Sequence, residues 1–320
     1  MGNPFLTCFL STARSGRGKL RRVIDNSSFR ATRMTRRALL RGAARLGVSG
    51  CAVGAGSLAW GRYVEPDWVE VEQIELTLPR LGRAFDGFRI AQISDIHIEG
   101  GEMQAHFPDI CRKVCAQNAD AIVITGDFIT NLGDWQDAAL LPGLRLLQAP
   151  LGVFAVLGNH DHSLTTGQPD RSANLVRRTL AQAQIRELQN EHTSWHRDGQ
   201  SLHLCGLDDR YVMDLPKLLA KLPAAGAAIL LQHQPDVADE VAQTKRFDLM
   251  LSGHSHGGQI ALPFFGPMFL PFGARTYPCG FYQVGNLMLY TNRGLGTIDI
   301  PIRFCSRPEI TVFTLRAGLK

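Results

Sequence analysis

The 320-residue chain lacks a disulfide framework. Its seven cysteines form an odd, scattered set rather than the paired spacings of small disulfide-stapled domains. None lies beside a predicted base, so the sequence gives no indication of a cysteine nucleophile. No internal repeat is visible either, which argues against a repeat architecture.

Acidic residues are almost absent from the first 62 residues. This segment contains twelve of the 34 lysines and arginines but one acidic residue, Asp25, whereas residues 63–320 contain 22 basic and 28 acidic residues. The formal net charge of +5 therefore originates in the leader. The acidic remainder gives no reason to expect nucleic-acid binding.

A long apolar run is also missing. The apolar stretch 46–60 is shorter than the ~20 residues that cross a bilayer as a straight helix. Directly before it, residues 35–41 read T-R-R-A-L-L-R, which resembles a twin-arginine export signal, and residues 57–59 (S-L-A) are a passable cleavage site. We predict that residues 1–62 form a leader, either a processed signal or a marginal membrane anchor. The alternative is a disordered basic tail.

This leader has consequences for partners and localisation. A twin-arginine signal implies the export machinery as a partner and a periplasmic or membrane-associated place in the bacterial cell envelope. An uncleaved leader would instead anchor the protein at the inner face of the cytoplasmic membrane. Residues 63–320 have the length of one α/β catalytic domain.

The order of apolar runs predicts the elements of that domain. Short runs rich in Ile, Val and Leu indicate buried strands, and amphipathic segments between them indicate helices. Strands are predicted at 88–94, 121–125, 153–157, 192–196, 201–205, 228–232, 247–252, 281–284, 287–291 and 309–315. Helices are predicted at 103–117, 137–147, 171–184, 214–222 and 236–243.

Five short motifs with metal-ligand side chains directly follow five of the predicted strands. In open α/β sheets ligands bind beyond the carboxyl ends of the strands, so one edge can bring all five motifs together. The motifs are D-I-H at 95–97, G-D at 126–127, G-N-H-D at 158–161, the single His233, and G-H-S-H at 253–256.

The residue types in these motifs restrict the metal. Two carboxylates, one amide oxygen and four imidazoles suit zinc, manganese or iron, whereas calcium prefers oxygen ligands and structural zinc prefers cysteine. Seven ligands are too many for one tetrahedral ion but suit two ions that share a carboxylate. Two such ions clamp the attacking and leaving oxygens of a displacement at phosphorus. The ligands are Asp95, His97, Asp127, Asn159, His233, His254 and His256.

The ordered motifs over residues 88–259 resemble those of the calcineurin-like metallophosphoesterases. The resemblance implies a four-layer αββα sandwich, with two mixed sheets flanked by helices. It also implies two divalent metal ions. A first ion would bind Asp95, His97, Asp127 and His256, and Asp127 would bridge to a second ion that Asn159, His233 and His254 complete.

The same resemblance assigns His160 a catalytic role next to the substrate, without metal ligation. Many members carry an acidic residue three positions after the G-D aspartate, where it can orient this histidine. Here that position is Thr130, which leaves the partner of His160 open. His162 and Arg293 are further candidates for substrate contact; a satisfied buried histidine and a surface arginine in a turn are the alternatives.

Residues 260–272 depart from ordinary globular patterning. They are rich in Phe and interrupted by three prolines, which excludes a regular helix or central strand. Because this Pro/Phe loop directly follows the G-H-S-H ligands, we expect it to overhang the active site. An apolar loop there suggests acyl chains or a membrane surface. The alternative is a loop folded inward as a core plug.

The leader, the G-H-S-H-G-G-Q-I sequence at 253–260, the Pro/Phe loop and the R-G-L-G sequence at 293–296 resemble a membrane-associated bacterial branch of the superfamily. That branch includes enzymes like the UDP-2,3-diacylglucosamine pyrophosphatases of lipid A synthesis. The implied substrate is a phosphodiester or pyrophosphate of a membrane lipid or glycolipid. The alternatives are a soluble phosphodiester reached by export and a non-catalytic metal-binding module.

Overall fold

The computed structural model describes residues 36–98, 101–130, 136–162, 169–209 and 212–318. Residues 1–35, which include the first residue of the twin-arginine-like motif, lie outside the described residues. Contacts between Cα atoms divide the chain into Met1–Ser57 and Leu58–Lys320, and the second unit contains both large sheets.

One 28-residue helix, α1 (Arg36–Tyr63), covers residues 36–62 of the predicted leader. Arg36 and Arg37 are its first two residues and are exposed. Across the described ranges, no helix is both long enough and apolar enough to cross a membrane.

The second unit is built from two mixed six-stranded sheets and their helices. The strands are β1 (Glu70–Leu78), β2 (Phe88–Ile93), β3 (Ala121–Thr125), β4 (Val153–Val156), β5 (Arg186–Glu187), β6 (Glu191–Arg197), β7 (Gln200–Gly206), β8 (Ala227–Leu231), β9 (Leu249–Ser252), β10 (Ala261–Leu262), β11 (Gly266–Pro267), β12 (Gly280–Val284), β13 (Leu287–Thr291) and β14 (Glu309–Ala317). The further helices are α2 (Gly101–Cys115), α3 (Gln136–Leu144), α4 (Pro169–Gln182), α5 (Leu215–Lys221) and α6 (Ala238–Gln243).

The strand order brings the ligand-bearing strands to the centre of each sheet. The first sheet runs β1-β14-β2-β3-β4-β5, and β2 to β5 are parallel. The second sheet runs β12-β13-β9-β8-β7-β6, and β13, β9, β8 and β7 are parallel. Parallel neighbours end at the same edge, so the loops after β2, β3 and β4 are adjacent, and so are those after β8 and β9.

Successive side chains on the central strands point to opposite faces of the sheet and so belong to different apolar layers. On β3, Ile122 and Ile124 pack with residues of α2, α3 and α4, whereas Ala121 and Val123 pack in the core that also holds Leu202 and Ile229 of the second sheet. A third cluster joins the outer face of the second sheet to α5 and α6. Three apolar layers between four layers of elements confirm the predicted αββα sandwich.

Strand β1 is the main element that the sequence patterns did not predict. Its sequence, E-V-E-Q-I-E-L-T-L, is rich in glutamate, and its side chains are mostly exposed or half-buried. It pairs in parallel with β14 over its full length, from Glu70 with Glu309 to Leu78 with Ala317. An edge strand with one wet face can carry charge that a central strand cannot, and its pairing partner is more than 230 residues away in the chain.

The Pro/Phe loop is not a core plug. It forms the short hairpin of β10 and β11, and Phe264 at the turn is fully exposed. Phe265 and Phe269 are 87% and 76% exposed. The inward-folded alternative is therefore wrong, and the apolar side chains of this loop form a surface.

Candidate metal centre

The five motifs meet where the strands of both sheets end. Asp95 N–H donates to Gly126 O at 3.0 Å and His97 N–H donates to Asp127 O at 3.1 Å, which ties the loop after β2 to the loop after β3. In the second sheet, Gly253 N–H donates to His233 O at 3.0 Å. The two sheets are joined across the centre by His254 N–H, which donates to the Asp95 carboxylate at 2.9 Å.

Five of the seven proposed ligands have left-handed backbone conformations. The φ angles are 50° at Asp95, 47° at His97, 55° at Asp127, 72° at His254 and 52° at His256. Such conformations are costly for residues with a Cβ atom and cluster at functional sites, where the surrounding structure imposes them. Here the strand ends turn sharply so that consecutive ligands converge.

A first group of ligands consists of Asp95, His97 and His256, all buried. The Nε2 atoms of His97 and His256 are 3.1 Å apart, and His256 Nε2 is 3.4 Å from Asp95 Oδ1. A second group consists of Asp127, His233 and His254, also buried. Asn159 Oδ1 is 3.1 Å from His233 Nε2, which places the amide at this second group.

Asp127 lies between the two groups. Its Oδ2 atom is 3.1 Å from His233 Nε2 and 3.4 Å from His97 Nε2. One carboxylate oxygen therefore reaches ligands of both groups, as a bridging ligand must.

The hydrogen bonds of the imidazoles test whether cations fit here. His233 Nδ1–H faces Thr125 O at 2.7 Å, and His254 Nε2–H faces Phe272 O at 2.9 Å. Because these carbonyl partners assign the protons to His233 Nδ1 and His254 Nε2, the other ring nitrogens, His233 Nε2 and His254 Nδ1, carry lone pairs. These two nitrogens face each other at 3.0 Å. Two such acceptors need a proton or a cation between them, and a divalent metal ion can take that place. The ligand set thus fits two divalent metal ions.

The electrostatics favour the metal-binding forms of Asp127, His254 and His256. At His233, Asp127 outweighs the effect of burial and raises the pKa to about 10, so a metal ion would displace a proton there. Burial and His233 lower the pKa of His254 to about 3, and burial and His97 lower the pKa of His256 well below its usual value. Burial works to raise the pKa of Asp127, but His233 and His160 outweigh it and hold that pKa well below the usual range. Neutral imidazoles around an ionised carboxylate are the species that coordinate metal.

His160 lies beside both groups and lines a cavity. Its Nδ1 atom is 3.1 Å from the carbonyl oxygen of Thr130, and its ring centroid is 5.0 Å from that of His97. The Thr130 hydroxyl is instead 2.9 Å from His97 Nδ1. A backbone carbonyl therefore occupies the orienting position that an acidic side chain fills in many members of the resembled family, and Nε2 is the nitrogen left for the substrate.

The sequence motifs predicted no separate role for Asp161, although it closes the G-N-H-D motif. Its buried carboxylate accepts four backbone N–H bonds, from Asp127, Phe128, Ile129 and Gly158, at 2.8–3.3 Å. Burial and the nearby Asp127 raise the pKa of Asp161 to about 7 despite these donors. It fixes the loop of Asp127 against the loop of Asn159.

The two candidate substrate residues have other partners. His162 is buried, and its Nε2 atom is 2.8 Å from Asp208 Oδ1. Arg293 pairs with Glu309 at 2.6 Å, Glu70 at 3.0 Å and Glu72 at 3.1 Å. These contacts favour the alternatives, a satisfied buried histidine and a structural arginine.

A cavity of about 440 Å³ opens onto the centre. Asp127, Asn159 and His160 line it, together with His254 and His256. Its lining also includes Ile260, Phe269, Leu270 and Pro271 of the Pro/Phe loop and residues 298–300. A substrate phosphoryl group at the centre would therefore have the apolar loop on one side.

A αββα sandwich with two buried ligand groups that share a carboxylate, and a histidine beside them, defines a metal-dependent phosphoesterase. The model of the calcineurin-like phosphoesterases matches residues 88–258. The chain belongs to this family, and the protein is a metal-dependent hydrolase.

Three relatives cover most of the chain. The uncharacterized metallophosphoesterase YkuE of Bacillus subtilis is 34% identical over 89% of this chain and 99% of its own length. The UDP-2,3-diacylglucosamine pyrophosphatase LpxG of Chlamydia muridarum is 29% identical over 79% of this chain and 91% of its own. The phosphodiesterase YaeI of Escherichia coli is 30% identical over 79% and 90%.

Proposed function

We propose that this protein is a two-metal phosphoesterase that hydrolyses a phosphodiester or pyrophosphate bond of a membrane lipid or glycolipid, such as a UDP-2,3-diacylglucosamine-like molecule. The observation that carries the lipid assignment is the exposed Pro/Phe loop, whose Phe269 and Leu270 line the same cavity as His160 and Asn159. A relative named as a UDP-2,3-diacylglucosamine pyrophosphatase supports the same substrate class.

Different residues of the site have different roles in such a reaction. Divalent ions of manganese, zinc or iron, when bound, supply positive charge at the phosphoryl group and activate water. Asp127 holds the two ligand groups together, and Asp161 fixes the loops that carry Asp127 and Asn159. His160, with Nδ1–H directed to Thr130 O, donates from Nε2 to the leaving oxygen.

The Pro/Phe loop would place the acyl chains. Fully burying an aromatic side chain such as that of Phe265 or Phe269 is worth ~1.5–3 kcal/mol, so a few of them give useful affinity for a bilayer surface. The loop is also tied to the centre, because Phe272 O accepts a hydrogen bond from His254 Nε2–H. Membrane contact and chemistry would thus take place within one short segment.

Replacing Phe265 and Phe269 with Ser tests this role. We expect weaker co-sedimentation with liposomes and slower turnover of a UDP-linked diacyl glycolipid. Hydrolysis of bis(p-nitrophenyl) phosphate should barely change, because the metal ligands and His160 are untouched. Since both side chains are exposed, the free energy of unfolding should change by only about 0.5 kcal/mol per residue.

The matched control is Phe281→Ser, which removes an exposed aromatic side chain from β12. It should leave liposome binding and both activities unchanged. An equal loss of both activities in the Phe265/Phe269 variant would contradict the lipid assignment and leave a soluble-substrate phosphoesterase.

An exported phosphoesterase acting on a soluble phosphodiester is the second candidate, because the arginine pair at the start of α1 resembles a twin-arginine signal. In that case the protein would meet its substrate in the periplasm or at the outer face of the membrane. An uncleaved leader at the inner face would instead suit a glycolipid precursor made in the cytoplasm.

Replacing Arg36 and Arg37 with Lys separates these locations. Export through a twin-arginine receptor should stop, because the receptor reads the guanidinium pair rather than bulk charge. A reporter fused after Trp60 gives the readout, and Arg41→Lys with Arg45→Lys is the charge-matched control in the same helix. A reporter that stays in the cytoplasm with native arginines would contradict export and support the inner-face anchor.

A further inference from the structure

The segment that follows α1 contributes a buried carboxylate to the second unit. Glu65 is 3% exposed, and its Oε1 atom accepts the Ser306 N–H at 2.6 Å. Its Oε2 atom accepts the indole N–H of Trp60 at 3.1 Å. This carboxylate therefore joins the end of α1 to the loop that precedes β14.

Ser306 passes this connection to a metal ligand. Its hydroxyl donates to the carbonyl oxygen of His256 at 2.6 Å. The backbone of His256 has a φ of 52°, a conformation that persists only where its surroundings hold it. Glu65 thus holds Ser306 in place, and Ser306 in turn holds the backbone of His256.

A second connection runs from the same segment to the imidazole of His256. Gly61 O accepts the Arg303 N–H at 2.9 Å, and a Cβ atom on residue 61 would approach Arg303 O to 2.9 Å. The fully buried Arg303 guanidinium donates from Nε to Gly296 O at 3.1 Å. Gly296 O also faces His256 Nδ1 at 3.3 Å, so one carbonyl is shared by the arginine and the ligand.

We propose that Glu65 is a positioning residue of the metal centre. With Gly61, it holds the 303–306 segment in place, so that His256 Nε2 faces Asp95 and His97. The inference rests on the two-metal site proposed above. Groups that orient a metal ligand without binding the ion typically change metal affinity by about 10–100-fold.

This role sets a limit on processing of the leader. Cleavage after residues 57–59 would keep Trp60, Gly61 and Glu65 in the mature chain, whereas any removal that reached residue 65 would disconnect His256. The end of α1 is therefore part of the catalytic unit rather than part of a disposable leader.

Metal titration of the full-length protein tests the proposal. In Glu65→Ala, one of the two Mn²⁺ ions should bind about 10–100-fold more weakly, while the other keeps its affinity. Glu65→Gln should recover most of the loss, because its amide oxygen can still accept the Ser306 N–H. Glu75→Ala, which removes an exposed glutamate that pairs with Arg316, is the control and should bind both ions normally.

Ser306→Ala keeps the proposal testable if Glu65→Ala folds poorly. It retains the N–H bond to Glu65 but loses the bond to His256 O, and it should weaken the same single ion with little change in the melting temperature of the metal-free protein. The proposal is overturned if both variants bind both ions with native affinity, or if both ions weaken equally. A native protein that binds fewer than two ions would instead refute the two-metal function. The role of Glu65 would then be tested by the affinity of Glu65→Ala for the single remaining ion.

Discussion

Asp127→Asn should abolish nearly all hydrolysis and cost the protein at least one metal ion. Its Oδ2 atom lies within 3.4 Å of His97 Nε2 and 3.1 Å of His233 Nε2, and a neutral amide bridges two cations poorly. The activity loss should exceed the ~10²–10³-fold that removal of one electrostatic stabiliser costs. Metal content measured together with bis(p-nitrophenyl) phosphate hydrolysis gives the readout.

The control for this substitution is Asp248→Asn, a second buried aspartate. It lies just before β9, at the opposite end from the G-H-S-H ligands, and its carboxylate accepts the Ala228 N–H at 2.8 Å. That variant should lose stability but retain two ions. If Asp127→Asn kept two ions and normal turnover, the bridging assignment would be refuted.

His160→Ala should lower turnover by ~10²–10⁴-fold, the usual contribution of a general acid, while metal content stays at two ions. The reason is that His160 bonds to Thr130 O and lines the cavity, whereas the two ligand groups are formed by other residues. Most of the effect should be on kcat, because protonation of the leaving oxygen matters in the transition state.

The exposed His106, which pairs with Asp67 at 3.0 Å, offers a comparison. His106→Ala should change neither kcat nor metal content. If His160→Ala instead released an ion, His160 would have to be counted among the metal ligands and the division of roles above would be wrong.

Local sequence patterns were sufficient for most elements of the fold. The predicted strands 121–125 and 287–291 agree with β3 and β13 at both ends, and most other boundaries differ by one or two residues. These central strands are continuous apolar runs, because they are buried on both faces. The edge strand β1 was missed because its polar sequence has no apolar strand pattern, and it is a strand because it pairs with β14.

The convergence of the candidate ligands was also predictable, since each motif directly follows a predicted strand and parallel strands end at one edge. The distribution of those ligands into two groups was implied only by family resemblance. It depends on contacts such as that of His254 N–H with Asp95, which are 159 residues apart in the chain. No local pattern encodes a distance of this kind.

The sequence by itself therefore determined which chemistry is available: a mixed set of oxygen and nitrogen candidate ligands at strand ends in an αββα domain. Tertiary structure decided how each side chain is used. It surrounded Arg293 with three glutamates, supplied the Thr130 carbonyl to His160, exposed the Pro/Phe loop and connected Glu65 to His256. The physical reason is that residue type sets which bonds a group can form, whereas burial and partners from distant segments set which bonds it does form.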